Sequence, residues 1–329
     1  MPKLSVIVVT ARDAKCFVEH PEWDQYERLA YWLKQQTFRD FETIVVTPFP
    51  EEATAVGGLS ITPLDNPWVR ERTRCSASYR NTGLIHARGE YIACIDDCSE
   101  IEPDYLERVV SYLDRGLGIA TLSCDANRKL IDGRVAFIPD GKEWTLTKRG
   151  EAIPQGILAF PASVGLDVNG WDMHYCGSYG LEDVDFGLRL QQAGLTFALD
   201  RNVTARLHAT TALSRRAIAQ DDDPADPCRS NVRCCNTAWV LARKSGRVRA
   251  NEWVYSDEEA EKRLKCFLLH PPPKAWRRDW RCGYWQDANE CAYIHMAREG
   301  HPVARRIMLE ERYPDTIDLR AERHTLGID

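Results

Sequence analysis

Short runs of apolar and β-branched residues punctuate the first two thirds of the chain. Lys3–Thr10 (KLSVIVVT), Phe41–Thr47 (FETIVVT), Leu59–Thr62 and Glu90–Ile95 (EYIACI) have the length and two-sided apolarity of strands buried on both faces of a sheet. Between them Glu22–Gln36 reads as an amphipathic helix, Arg72–Arg88 as a helix closed by Gly89, and Pro103–Leu113 as a helix with proline in its first turn. Further strands are expected at Leu117–Cys124, Ile157–Phe160, Thr196–Leu199 and Val203–His208. Strand and helix alternating at this spacing predict an α/β domain with a mostly parallel sheet. Near residue 215 the pattern changes. After the polar break Asp221-Asp222-Asp223-Pro224 come helical stretches at Asn236–Lys244, Asp257–Leu269, Asp287–Arg298 and Val303–Arg312, interrupted by three prolines at 271–273. The expected organisation is a sheet domain over 1–215 and a mainly helical extension over 216–329.

Two acidic sites stand out against this pattern. Glu182, Asp183 and Asp185 precede the helical repeat Phe186, Leu188, Leu190, where the positive end of a helix dipole favours carboxylates. A well-capped helix would look the same. The preceding loop adds Trp171, Tyr175, Gly177, Tyr179 and Gly180, residue types that let backbone and flat faces approach a ligand. Asp96 and Asp97 follow directly on the strand Glu90–Ile95, at the carboxyl end where α/β sheets bind ligands. His208 ends the last strand, either as a functional group or as a core histidine. The order of elements brings these three places within range of one crevice.

Composition narrows the classes. The 329 residues are 44% hydrophobic and 28% charged, ordinary for a globular protein. No run approaches the roughly 18 apolar residues of a membrane helix. Leu4–Val9 is too short for a signal peptide, so a cytoplasmic protein without a membrane span is expected. The net charge of −6 is uneven, because Cys228–Ala250 holds six basic residues and no acid. That stretch fits a solvated helix face or a surface for a phosphate-bearing partner. Of twelve cysteines, Cys266 and Cys291 stand four residues before His270 and His295. Each pair would share a helix face and suits a structural zinc, although the spacing matches no standard finger.

Taken together, four segments resemble nucleotide-sugar glycosyltransferases of the GT-A fold, family 2 type, over about residues 3–210. They are the strand SVIVVTARD; Arg80-Asn81-Thr82-Gly83 with Ala87, Gly89, Glu90 and Tyr91; Ile95-Asp96-Asp97-Cys98 with Pro103-Asp104 and Leu106; and Gly170-Trp171-Asp172 followed by Gly180-Leu181-Glu182-Asp183-Val184-Asp185-Phe186. The resemblance implies a Rossmann-like central sheet and a nucleoside-diphosphate sugar donor, with UDP as the first expectation. It places Thr10, Arg12, Asp13, Arg80, Asp96 and Trp171 around the donor, Trp171 by stacking on a sugar ring and Arg80 at the diphosphate or the base. Asp183 is then the base that deprotonates the acceptor hydroxyl, and Glu182 holds an acceptor or donor hydroxyl. Asp97 and Asp96, with His208 as a third ligand, would hold Mn²⁺ or Mg²⁺. One base attacking opposite the leaving group inverts the anomeric centre.

Two positions depart from the family pattern. The second aspartate of the aspartate-x-aspartate motif falls on Cys98, so Asp97 replaces it, the metal is held more weakly, or a softer ion is preferred. The second strand ends Val46-Thr47-Pro48 without the acid that usually meets the nucleobase, a role left to Glu51, Glu52 or Asp13. The acceptor stays open among a glycan, a lipid-linked sugar, a protein and a small molecule. The basic stretch and the segment Trp276–Trp285 (WRRDWRCGYW) raise a second reading, transfer to a hydroxylated base in DNA. A third reading is a sugar-nucleotide-binding pseudoenzyme.

Overall fold

The computed structural model describes residues 1–12, 14–62, 76–147, 157–173, 182–210, 249–250 and 318–328. Asp13, the loop from Tyr175 to Gly180, the Cys266/His270 and Cys291/His295 pairs, Trp276–Trp285 and nearly all of Cys228–Ala250 lie outside them.

Among the described residues nine strands form one sheet: β1 (Leu4–Val9), β2 (Phe41–Val46), β3 (Leu59–Ile61), β4 (Tyr91–Asp96), β5 (Ser99–Ile101), β6 (Gly118–Cys124), β7 (Trp144–Thr147), β8 (Leu158–Pro161) and β9 (Phe197–Leu207). The order is β3-β2-β1-β4-β8-β6-β9-β5, with β7 added on β9. β1, β2, β3 and β4 are mutually parallel, and β6 pairs parallel with β9. β8 runs antiparallel between β4 and β6, so those two strands point the same way. The mostly parallel α/β architecture expected of a GT-A domain is therefore present.

The six helices are α1 (Gln25–Lys34), α2 (Ser76–His86), α3 (Tyr105–Leu113), α4 (Ala162–Asp167), α5 (Glu182–Gln192) and α6 (Leu319–Thr325), again among the described residues. Strand alternation sorts the side chains into two layers. Ile7, Ile92 and Cys94 face one core with Leu84 and Ile85 of α2 and Phe186 and Leu190 of α5. Val6, Val8, Ala93 and Ile95 face the other, with Leu29 and Leu33 of α1 and Leu106 and Val109 of α3. Asp24 sets the start of α1, its carboxylate accepting from the amides of Tyr26 and Glu27.

Glycines let the layers close up. A Cβ on Gly83 would strike the side chain of Ile7, so glycine is what lets α2 lie against β1. One on Gly89 would come within 2.5 Å of the Ser5 amide nitrogen, in a turn that also donates its own N–H to Ser5 Oγ at 2.8 Å. The two strands expected at Thr196–Leu199 and Val203–His208 are one strand, β9. The polar residues that made them look separate are held within it. Buried Asp200 accepts from the Tyr112 hydroxyl at 2.8 Å and from the Asn202 amide at 2.8 Å.

Candidate active site

Register places the acids. Val9 pairs with Asp96, so Thr10 and Asp97 leave adjacent strands at the same edge. Asp96 shares the parity of Ile92 and Cys94 and faces the layer containing α2 and α5. From that layer come Arg80, in the middle of α2, and Glu182 and Asp183, the first two residues of α5.

Arg80 joins the two helices. Its Nη1 donates to Asp183 Oδ1 at 2.5 Å and lies 3.4 Å from Glu182 Oε1. Ser76 Oγ donates to the same Glu182 oxygen at 2.6 Å. Burial works against the Arg80 cation, but Asp183, Glu182 and Asp96 together hold it protonated above its ordinary value. Burial also pushes Asp183 up, to about 7; Arg80 pulls it down, and Glu182 and Asp96 push it up. Burial likewise raises Asp96, to about 6, against the pull of Arg80. The Asp183 side chain keeps 16% of its surface exposed, so a reacting hydroxyl can reach it.

On the other side of the strand ends Arg12 Nη1 makes an ion pair with Asp97 Oδ1. The Arg12 amide donates to Thr10 Oγ1 at 3.2 Å, and its carbonyl accepts from Gln25 Nε2 at 3.0 Å. Gln25 is a site-shaping residue missed in the sequence. It begins α1 with its amide fully buried, its Oε1 lying 3.4 Å from Thr10 Oγ1. Asp97 is 6% exposed, and its Oδ2 is buried without a hydrogen-bond partner.

Two expected roles change. Trp171 is fully buried and stacks on Phe186 with ring centroids 3.8 Å apart, so it supports Asp183 from within the core and offers no face to a sugar. His208 was expected beside Asp96 and Asp97 as a metal ligand. Its Nε2 lies 2.9 Å from Glu100 Oε2, and its ring packs edge-on to Phe17 and Trp23. Burial, the largest influence, keeps its basicity below the ordinary value despite Glu100. Among the described residues no three His, Cys, Asp or Glu side chains converge on a point that could hold a metal. Cys98 is partly exposed, and burial raises its thiol well above the usual range. Glu51 is exposed before a 3-10 turn at Glu52–Val56, and Glu52 is its first residue, half-buried beyond β2.

Comparison with known proteins finds similarity over part of the chain. Residues 69–148 match the family model described as Glycosyl transferase family 2. The same length of chain, 80 residues, is 32% identical to EpsH of Bacillus subtilis (strain 168), by name a glycosyltransferase; the match spans 24% of this chain and 23% of EpsH. Solved structures of S. aureus TarS 1-349 are similar over more of the chain. One has TM-score 0.47, 16% identity and coverage of 96% and 94% of the two chains. The complex with UDP-GlcNAc has TM-score 0.48, 16% identity and coverage of 94% and 90%. The segment that matches the family 2 model comprises α2, β4, β5, α3, β6 and β7. Glu182 and Asp183 stand outside the matched segment.

Proposed function

We propose that the protein is an inverting glycosyltransferase that moves a sugar from a nucleoside diphosphate, UDP first among the candidates, to an acceptor hydroxyl. The observation that carries this reading is the Arg80–Asp183 pair facing Asp96. It is a partly exposed carboxylate with a pKa of about 7, held by a guanidinium, next to the strand end where a nucleotide is expected. A carboxylate poised near neutrality suits proton removal from a sugar hydroxyl at the moment it attacks. Because Arg80 is committed to Asp183 and Glu182, its role is to orient the base more than to bind diphosphate. Thr10 and Arg12, together with Asp96, line the nucleotide side, and Glu182 is placed for a hydroxyl of donor or acceptor.

The carboxylates fit a hard divalent cation in one respect, the buried unpartnered Oδ2 of Asp97. Asp97 and Asp96 would hold Mn²⁺ or Mg²⁺, with the remaining ligands supplied by the donor phosphates and without His208. Such a cation neutralises charge on the departing diphosphate. Nothing among the described residues favours a DNA acceptor, since the basic and aromatic segments behind that reading fall outside them.

The test is a donor screen. The protein is incubated with a panel of nucleotide sugars, in Mn²⁺ and in EDTA, and released nucleoside diphosphate is measured. Slow hydrolysis of one donor, lost in EDTA, is expected. Failure to bind or turn over any donor would reduce the chain to a binding module, and turnover undiminished in EDTA would remove the metal.

A further inference from the structure

Residues 318–328 lie far along the chain from the acids, yet they meet α2, which carries Arg80, and the turn whose Trp171 packs on α5, which carries Asp183. We propose that α6 is a brace for the active site, with Leu319 and Arg323 acting as positioning residues for the base. This rests on the transferase reading for its consequence, while the brace itself stands on geometry alone.

The first contact is at the C-terminal end of α2. The last carbonyls of a helix have no partner within it and carry its partial negative charge. Arg323 Nη1 supplies one, donating to the carbonyls of Leu84 and Ile85, each at 3.1 Å, and of Ala87. The cation sits where the helix dipole favours it.

The second contact is at the turn Asn169–Trp171. Asn169 and Gly170 both have positive φ, 58° and 66°. Asn169 Oδ1 accepts the Leu319 amide at 2.9 Å, and its Nδ2 donates to the Ala250 carbonyl at 2.7 Å. The fully buried Leu319 side chain presses on Gly170, where any Cβ would overlap both it and Asn81. Asn81, the neighbour of Arg80, completes the link. It donates to the Trp171 carbonyl and accepts from the Trp171 amide, both at 2.8 Å. Trp171 in turn stacks on Phe186 of α5, three residues past Asp183.

A closed path therefore runs from α6 to α2 through Arg323, and from α6 to α5 through Leu319, Gly170 and Trp171. Arg80 and Asp183 lie between its two arms. The nucleotide side, built by Thr10, Arg12 and Asp97 at the ends of β1 and β4, is outside the path. Loosening α6 is expected to misalign the base and leave nucleotide binding alone.

Arg323→Ala, Arg323→Lys and Leu319→Ala test this. Amide exchange, read by mass spectrometry on the full chain, should quicken in α2 and at Trp171 for both alanine variants and stay near wild type for the lysine variant, whose ammonium still reaches the carbonyls. Turnover of the donor found in the screen should fall about 10- to 100-fold in kcat for the alanine variants, with lysine restoring most of it. UDP affinity, measured by calorimetry with Mn²⁺, should stay within about twofold, because its contacts are remote from α6. Unchanged exchange in Arg323→Ala, whose half-exposed site makes misfolding no obstacle, would overturn the brace. Quickened exchange with unchanged kcat would overturn its role in positioning. Wild-type protein without turnover counts against the transferase reading, and the exchange measurement still decides the brace.

Discussion

As the proposed base, Asp183 could act only while ionised, and its setting fixes where that occurs. With its pKa raised to about 7, turnover is expected to fall about tenfold per pH unit below that value and to level off above it. Asp183→Asn should lower kcat by about 10²- to 10⁴-fold, the range for removing a general base, with UDP affinity retained. Loss of UDP binding in this variant would place Asp183 on the donor instead. The same shift has a stability consequence. A carboxyl whose folded pKa lies above its ordinary 3.8 contributes stability that is complete below that value and lost as pH rises through about 7. The melting temperature of Asp183→Asn should therefore gain on wild type between pH 4 and 7. That Asp183 and Asp96 lie near one another was legible from their places after a glycine-rich loop and at a strand end. That Arg80 binds Glu182 and Asp183 was not, because more than a hundred residues separate them from it and no local pattern records the contact. Trp171 misled for a physical reason: a tryptophan beside glycines suits a ligand face and a core wedge equally, and only Phe186 packing on it decides.

At the scale of elements, strands β1, β2 and β4 were readable because each is a two-sided apolar run bounded by polar residues. β5 and β7 were not. Their sequences, SEI and WTLT, carry too little apolar character to stand out, and their pairing with β9 is what makes them strands. The glycines of the family-like segment gain a mechanical meaning here. Gly89→Ala would bring a Cβ against the Ser5 backbone, which cannot swing aside as a side chain could. Overpacking of this kind costs about 1–3 kcal/mol, and the upper end is expected, read as a shift in denaturant midpoint with unchanged slope. Helix α5 carries a second internal device. Fully buried Arg189 pairs with fully buried Asp185 at 2.7 Å and donates to the carbonyls of Val168 at 2.9 Å and Gly170 at 2.6 Å. Arg189→Met should destabilise by about 3–5 kcal/mol, as breaking a buried pair does. Replacing both partners by apolar residues should recover only part of that, because the Gly170 carbonyl loses its Arg189 donor, whereas that of Val168 keeps the Ala250 amide at 3.0 Å. Full recovery would show that the ion pair alone mattered.

Over the whole molecule, the described pieces of the extension expected over 216–329 touch the sheet domain. Ala250 bonds to Val168 and Asn169, and Leu319 of α6 lies within the same apolar cluster as Trp171 and Phe186. A seven-residue helix with a single buried leucine has no amphipathic signature strong enough to announce such docking. Ligand binding offers a global test of the site, since whatever binds only the folded chain stabilises it. UDP with Mn²⁺ at 100 times its dissociation constant adds about 2.7 kcal/mol. For a domain of this size about 2–4 °C of melting temperature accompanies each kcal/mol, so a rise of about 5–10 °C is expected. The metal proposal makes the rise conditional. EDTA should remove most of it, and Asp97→Asn should do the same in Mn²⁺, because the buried Oδ2 would no longer carry charge toward a cation. Should UDP alone give the full rise in EDTA, the diphosphate is held by protein cations, and Arg12, already at Asp97, becomes the residue to replace next.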